Sequence, residues 1–223
     1  MTSKTGTFAV LVPLVLCAAA GLQAQSAIWV TPYTGVFAPL RDFATLETAA
    51  ERDVVRQRQT VALLVGARLH IRTSAVTGIE FGVGRAASGL RQKDTNAGVV
   101  GLFSAGLDGA VTAVDGRFVV RPRRSAVYGL AGVSMLHRSG VAWDEHNGYY
   151  TSGVSFNKTS LAALAGLGLF VQGTNSVRVD VSLEARIHRR SFLGAGYDAG
   201  VGTIAKGAGT KADLALVIGF PIG

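Results

Sequence analysis

His137 and Ser139 stand two residues apart in "MLHRSG", residues 135–140, and in an extended chain both side chains leave on one face. A histidine base beside a serine hydroxyl is the pairing that turns serine into a nucleophile. No acid within the segment would orient that histidine; Glu145, in the connection that follows, is the candidate. The plainer alternative is a histidine next to a loop serine, with no catalytic role. His70, His146 and His188 do not fall with Asp or Glu at metal-ligand spacing, and Cys17 is the sole cysteine, so no metal is expected. The 29 glycines are scattered through apolar segments instead of forming a phosphate-binding loop, and no cofactor is expected.

A second kind of chemistry is ionic. In "SVRVDVSLEARIHRR", residues 176–190, Val177, Val179, Val181, Leu183, Ala185 and Ile187 alternate with Arg178, Asp180, Glu184, Arg186 and His188. Alternation over a dozen residues describes a β-strand with two chemically opposite faces. The same division recurs. Arg68 and Arg72 oppose Leu63, Val65 and Leu69; Glu80 opposes Ile79, Phe81 and Val83; Asp115, Arg117 and Arg121 oppose Val114, Phe118 and Val120; Lys211 and Asp213 oppose Leu214, Leu216 and Ile218. On these faces seven cations (Arg68, Arg72, Arg117, Arg121, Arg178, Arg186, Lys211) meet five anions (Glu80, Asp115, Asp180, Glu184, Asp213). So near a balance, in a chain of net charge +8, suits a narrow interior in which every buried ion needs a partner. Arg186 with Asp213 is one expected pair.

The elements that carry these faces are eight expected strands, over 27–38, 60–72, 76–86, 110–121, 126–138, 156–172, 176–189 and 210–222. Connections after the second, fourth and sixth are tight; those after the first, third, fifth and seventh are long. Long and short connections in alternation, with an even strand count, match an antiparallel up-and-down transmembrane barrel, with aliphatic faces toward lipid and ionic faces inward. A soluble up-and-down barrel or sandwich shares the hairpin order, and its faces would be reversed. The fifth strand, "AVYGLAGVSMLH", is too evenly apolar to assign its faces. Pro32 and Pro221 fall in the first and last strands, where a missing donor predicts a bulge or frayed end.

Lys4 followed by the apolar run Phe8–Leu16 and small residues up to Ala24 predicts a cleavable signal peptide, 1–24, ahead of a barrel domain, 25–223. The run is too short for a membrane helix and holds Pro13. Export, a mean hydropathy of +0.34 and no later helix-length apolar run direct the chain to a bacterial outer membrane as a multi-pass barrel.

In "WVTPYTGVF", the repeated hairpins and the closing "ADLALVIGFPIG" the chain resembles the small eight-stranded outer-membrane barrels, the OmpA-like transmembrane domain among them. The resemblance spans essentially the whole mature chain and implies architecture far more than activity. It also implies a monomer inserted by the barrel-assembly machinery, although that machinery usually reads a terminal aromatic residue, and here Phe220 precedes Gly223 by three residues. An eight-stranded lumen is filled by side chains, so the expected role is structural or surface interaction, not enzymatic. Arg58, Arg85, Arg138, Arg189 and Arg190 cluster where strands would leave the membrane outward, at the level of lipid and lipopolysaccharide phosphates, which guanidinium groups bind in bidentate fashion. The plainer reading has them snorkelling to water. Nucleic acid is not an expected partner, because the excess charge is dispersed along strand ends. The alternatives are a lipid A-modifying enzyme, since His137-Arg138-Ser139 is similar to the His-x-Ser pair of outer-membrane lipid A deacylases, and a secreted lipocalin-like binder.

Overall fold

The computed structural model describes residues 28–41, 44–48, 54–94, 108–146, 149–172, 178–188, 203–206 and 210–222. Residues 1–24, Arg189, Arg190 and the apolar run 97–107 lie outside them.

Alternating aliphatic and ionic residues build β1 (Ile28–Pro39), β4 (Ala62–Arg72), β5 (Thr77–Ala86), β7 (Gly109–Val120), β8 (Val127–His146), β9 (Tyr149–Gln172), β10 (Arg178–His188) and β12 (Lys211–Gly219). These eight close into an antiparallel barrel in the order β1-β12-β10-β9-β8-β7-β5-β4, and β4 returns to β1. They are the eight strands expected from the sequence. Closure leaves no sheet edge inside the barrel, the condition a β-structure meets when it sits in hydrocarbon.

Four further strands come from the long connections: β2 (Ala44–Thr48), β3 (Val54–Gln59), β6 (Leu90–Asp94) and β11 (Thr203–Lys206). They pair in the order β11-β2-β3-β6 as a second sheet beyond the barrel. β8 and β9 also extend past the barrel, pairing from Val127↔Leu169 to His146↔Tyr149 with a register shift at Ala142/Trp143. The connection after the fifth expected strand, expected to be long, is thus largely taken up by continued pairing of these two strands.

The barrel is inside out. On the outward faces Leu63, Phe81, Val133, Leu161, Leu183 and Leu216 are exposed, and Leu167 reaches 66%. On the inward faces Arg68, Asp115, Arg117, Asp180 and Arg186 are buried, and Glu184 is 0% exposed. This is the orientation expected for β4, β5, β7, β10 and β12. For β8 it settles what its sequence leaves open: Tyr128, Leu130, Ser134, Leu136 and Arg138 point inward. Tyr33, Phe37, Leu64, Val111, Leu136 and Val217 form an apolar belt across the lumen on the side of the second sheet, and Val119, Tyr128, Leu130 and Leu164 form a smaller one.

The prolines at the seam interrupt the ladder without bulging it. Pro32 accepts a bond from Phe220 N (3.0 Å) and has no N–H to return, so β12 ends at Gly219. Pairing resumes in the same register at Val30↔Ile222, with both bonds made (3.1 and 2.8 Å).

Glycine makes room for the lumenal tyrosines. A Cβ on Gly168 would overlap the ring of Tyr128 at Cζ, whereas one on Gly129 meets nothing within 4 Å. Gly168→Ala should therefore push Tyr128 off its site and cost about 1–3 kcal/mol. Gly129→Ala should leave the urea midpoint of the folded protein unchanged or raised; equal midpoints for the two variants would refute the packing account.

Candidate functional site

Glu184 on β10 gathers the central ions. It pairs with Arg68 from β4 and with Arg117 from β7 (2.7 Å), and accepts from Arg186 (3.1 Å) and Ser182 (2.9 Å). Arg117 Nε also donates to Glu80 (2.6 Å), whose other oxygen meets Nδ1 of His70 at 2.8 Å. Arg186 reaches Asp115 at 2.7 Å. Tyr33 lies under the Arg68 guanidinium (4.4 Å), and Tyr128 donates to Asp180 (2.5 Å). β10 lies three steps around the ring from both β4 and β7, so the bonds from Arg68 and Arg117 to Glu184 span the lumen and tie distant walls together.

A second cluster lies toward the second sheet. Arg138 on β8 pairs with Asp213 on β12 and donates to Oε1 of Gln59 (2.9 Å), at the end of β3; His188 Nε2 lies 3.3 Å from Asp213. Gln59, Ser88 and Leu90 are buried here, so the root of the second sheet covers this end of the lumen. With the apolar belt between the two clusters, the interior is packed side chain against side chain.

Several residues expected from sequence are placed differently. Arg138, expected at the outer rim among lipid phosphates, is a buried lumenal ion, because its position on β8 points inward. Arg186 and Asp213 do sit opposite each other in register, but Arg186 turns to Asp115 and Glu184 while Arg138 and His188 take Asp213. In a narrow lumen a long side chain reaches the far wall as readily as its neighbour, so register alone does not choose partners. Arg72 and Arg121, expected in the ionic network, lie beyond its end. Arg72 stacks over Trp29 (5.7 Å), and Arg121 over Phe170 (4.2 Å) and Tyr128 (5.6 Å). Lys211 is buried on the inward face of β12 and Arg178 is half-buried at the start of β10. The His70–Trp29 stack, 3.7 Å between ring centroids, is an addition to the expected site; the shared inward parity of the two residues on neighbouring strands is its only sequence signal.

At the rim beside the second sheet Arg85 is exposed on the outward face of β5, and Arg58 donates to the carbonyls of Pro39 (3.3 Å) and Leu40 (3.4 Å). His137 and Ser139 share the outward face of β8, both half-buried, and Nδ1 of His137 faces Oγ1 of Thr159 at 3.0 Å, where a catalytic histidine would meet its orienting acid. The Glu145 side chain lies outside the described residues. Among the described residues no three His, Cys, Asp or Glu gather to hold a metal.

Fold and interior define an eight-stranded, inside-out β-barrel with an ion-paired core. No protein-family model matches the chain, and no curated protein matches it. Among solved structures it is similar to Neisserial surface protein A, at 10% identity and a TM-score of 0.42, over 87% of this chain and 97% of that one. It is similar to Ail, the attachment invasion locus protein of Yersinia pestis, solved with the heparin analogue sucrose octasulfate, at 14% identity and a TM-score of 0.40, over 87% and 99%. It is also similar to the translocator domain of the autotransporter NalP from Neisseria meningitidis, at 12% identity and a TM-score of 0.41, over 95% of each chain.

Proposed function

We propose that this chain is an integral, monomeric barrel of a bacterial outer membrane, with a structural or surface-interaction role and no catalytic one. The observation that carries the reading is the inversion of its surfaces. Between the rims the outward faces of the barrel strands bear apolar and small residues, while the buried inward faces bear the ions. Water would penalise such an exterior and hydrocarbon would reward it. The short-turn end then faces the periplasm, and the second sheet and the β8–β9 hairpin project from the cell surface. Arg85 and Arg58 would lie near the phosphates of lipopolysaccharide, with Arg85 better disposed for contact because it is exposed on the outward face.

The test is gel mobility of the detergent-folded protein, with and without boiling. A closed barrel resists SDS until heated, so two bands are expected, and folding should require detergent or lipid. A single band from protein soluble in plain buffer would overturn the reading. In reconstituted vesicles Arg85→Gln should weaken lipopolysaccharide binding several-fold, and equal binding would remove that contact.

A further inference from the structure

The inner mouth of the lumen, at the short-turn end, holds cations of a different kind from those deeper in. Arg68, Arg117, Arg138 and Arg186 each have a carboxylate. Arg72 and Arg121 have no ion pair among the described residues, yet both line one cleft with Trp29, His70, Ser74 and Thr77. Among the described residues no Asp or Glu lines that cleft. Glu80 and Asp180, inward-facing carboxylates of β5 and β10, are engaged elsewhere, Glu80 by Arg117 and His70, and Asp180 by Tyr128. Nε of Arg121 is buried with no hydrogen-bond partner among the described residues.

The aromatic rings explain how the two guanidinium groups are held. Arg72 lies over the Trp29 ring and Arg121 over Phe170, so each guanidinium has an aromatic ring on one side while its N–H groups remain donors for an anion. Two like charges at one opening repel unless an anion lies between them. Arg123 and Arg124, exposed on the adjoining turn, add to the positive field. A planar fork of N–H donors matches the oxygens of a phosphate, and the cleft is lined by two such forks.

We infer that Arg72 and Arg121, with Trp29 beneath, form a binding site for a phosphate group at the periplasmic mouth of the barrel. The phosphate belongs either to a phospholipid headgroup of the inner leaflet or to a soluble phosphate ester. This goes beyond the proposed surface role and is independent of the lipopolysaccharide contact; the periplasmic placement and the lipid source rest on the membrane reading, and the phosphate site itself does not.

Trp29 is its own reporter. The chain has two tryptophans, so Trp143→Phe leaves Trp29 alone. The folded protein in maltoside micelles is titrated with glycerol 3-phosphate, with acetate, and with phosphatidylglycerol added to the micelles, following tryptophan emission. A saturable change with a phosphate probe is expected, at least ten-fold weaker in Arg72→Gln/Arg121→Gln. Saturation by glycerol 3-phosphate identifies a soluble ester as sufficient, and saturation by phosphatidylglycerol alone identifies the headgroup. The proposal is overturned if neither phosphate saturates, if acetate binds as tightly, or if the double variant binds like the parent. Should the glutamine variant not fold, Arg72→Lys/Arg121→Lys keeps the charge and loses the fork; unchanged affinity there would equally refute the site. Loss of heat-shifted mobility in the parent would count against the barrel reading instead, so the two failures are distinguishable.

Discussion

Glu184→Ala is expected to destabilise the folded barrel by about 3–5 kcal/mol, the range for removing one partner from a buried ion pair. Three guanidinium groups, those of Arg68, Arg117 and Arg186, converge on this carboxylate. Once it is gone, Arg68 keeps the Ser182 hydroxyl, at 3.3 Å, and the Tyr33 ring but no carboxylate among the described residues, while Arg117 keeps Glu80 and Arg186 keeps Asp115. The surplus charge is then held in a space shut off from water, and its desolvation is no longer offset. Glu184→Gln separates charge from shape. It fills the same volume and can still accept a bond, but it should lose most of the same stability. Urea titration of the detergent-folded protein, followed by gel mobility, reads both variants. Should Glu184→Gln fall within about 1 kcal/mol of the parent, the lumen is wet enough to screen its ions. Replacing Glu184 and Arg68 together by apolar residues of similar volume should recover part of the loss, because a buried pair is often exchangeable as a unit.

Legibility of the fold in the sequence follows the strength of the two-residue period. β10 alternates aliphatic residues with ionic ones and Ser182, and that pattern divides it into two faces; which face turns inward is legible only from the near balance of charge over all the strands. β8 is apolar on both faces as far as Leu136, so nothing local marks which side is inward, and Arg138 reads as a lipid-phosphate contact when it belongs to the lumen. The strands of the second sheet escape detection for the opposite reason. "VVRQRQ" in β3 and "LRQKD" in β6 are largely polar and offer no apolar face to detect; only backbone pairing reveals them. The continuation of β8 and β9 does carry a sequence signal, since Asn147-Gly148 is a favoured two-residue hairpin turn. Ion partners are the least legible, as the displaced Arg186–Asp213 pair illustrates. Register limits which residues share a level, but choice among several carboxylates within reach of one arginine depends on the whole lumen.

The filled interior bears on function as well. Polar contacts from Arg138 to Gln59 join the lumen to the second sheet, so the parts outside the barrel are rooted in its core and not merely tethered by loops. On the proposed reading, a second sheet rooted in this way suits contact more than conduction.

Leu183→Arg tests the inversion itself. Leu183 is the middle residue of β10, flanked in register by Leu167 and Leu216, and its side chain is 53% exposed. If the surroundings are water, an arginine there is a surface change worth no more than about 0.5 kcal/mol in either direction. If they are hydrocarbon, the same substitution at mid-depth costs about 2–4 kcal/mol, falling to about 0–1 near the interface. Val171, on the outward face close to the short-turn end of β9, supplies the shallow comparison. The expected result in phospholipid vesicles is therefore a gradient, with Leu183→Arg several kcal/mol less stable than the parent and Val171→Arg close to it. Equal and small effects at both positions would mean that no bilayer surrounds the barrel, whatever its shape. Equal and large effects would mean that the outward face is buried against protein along its whole length.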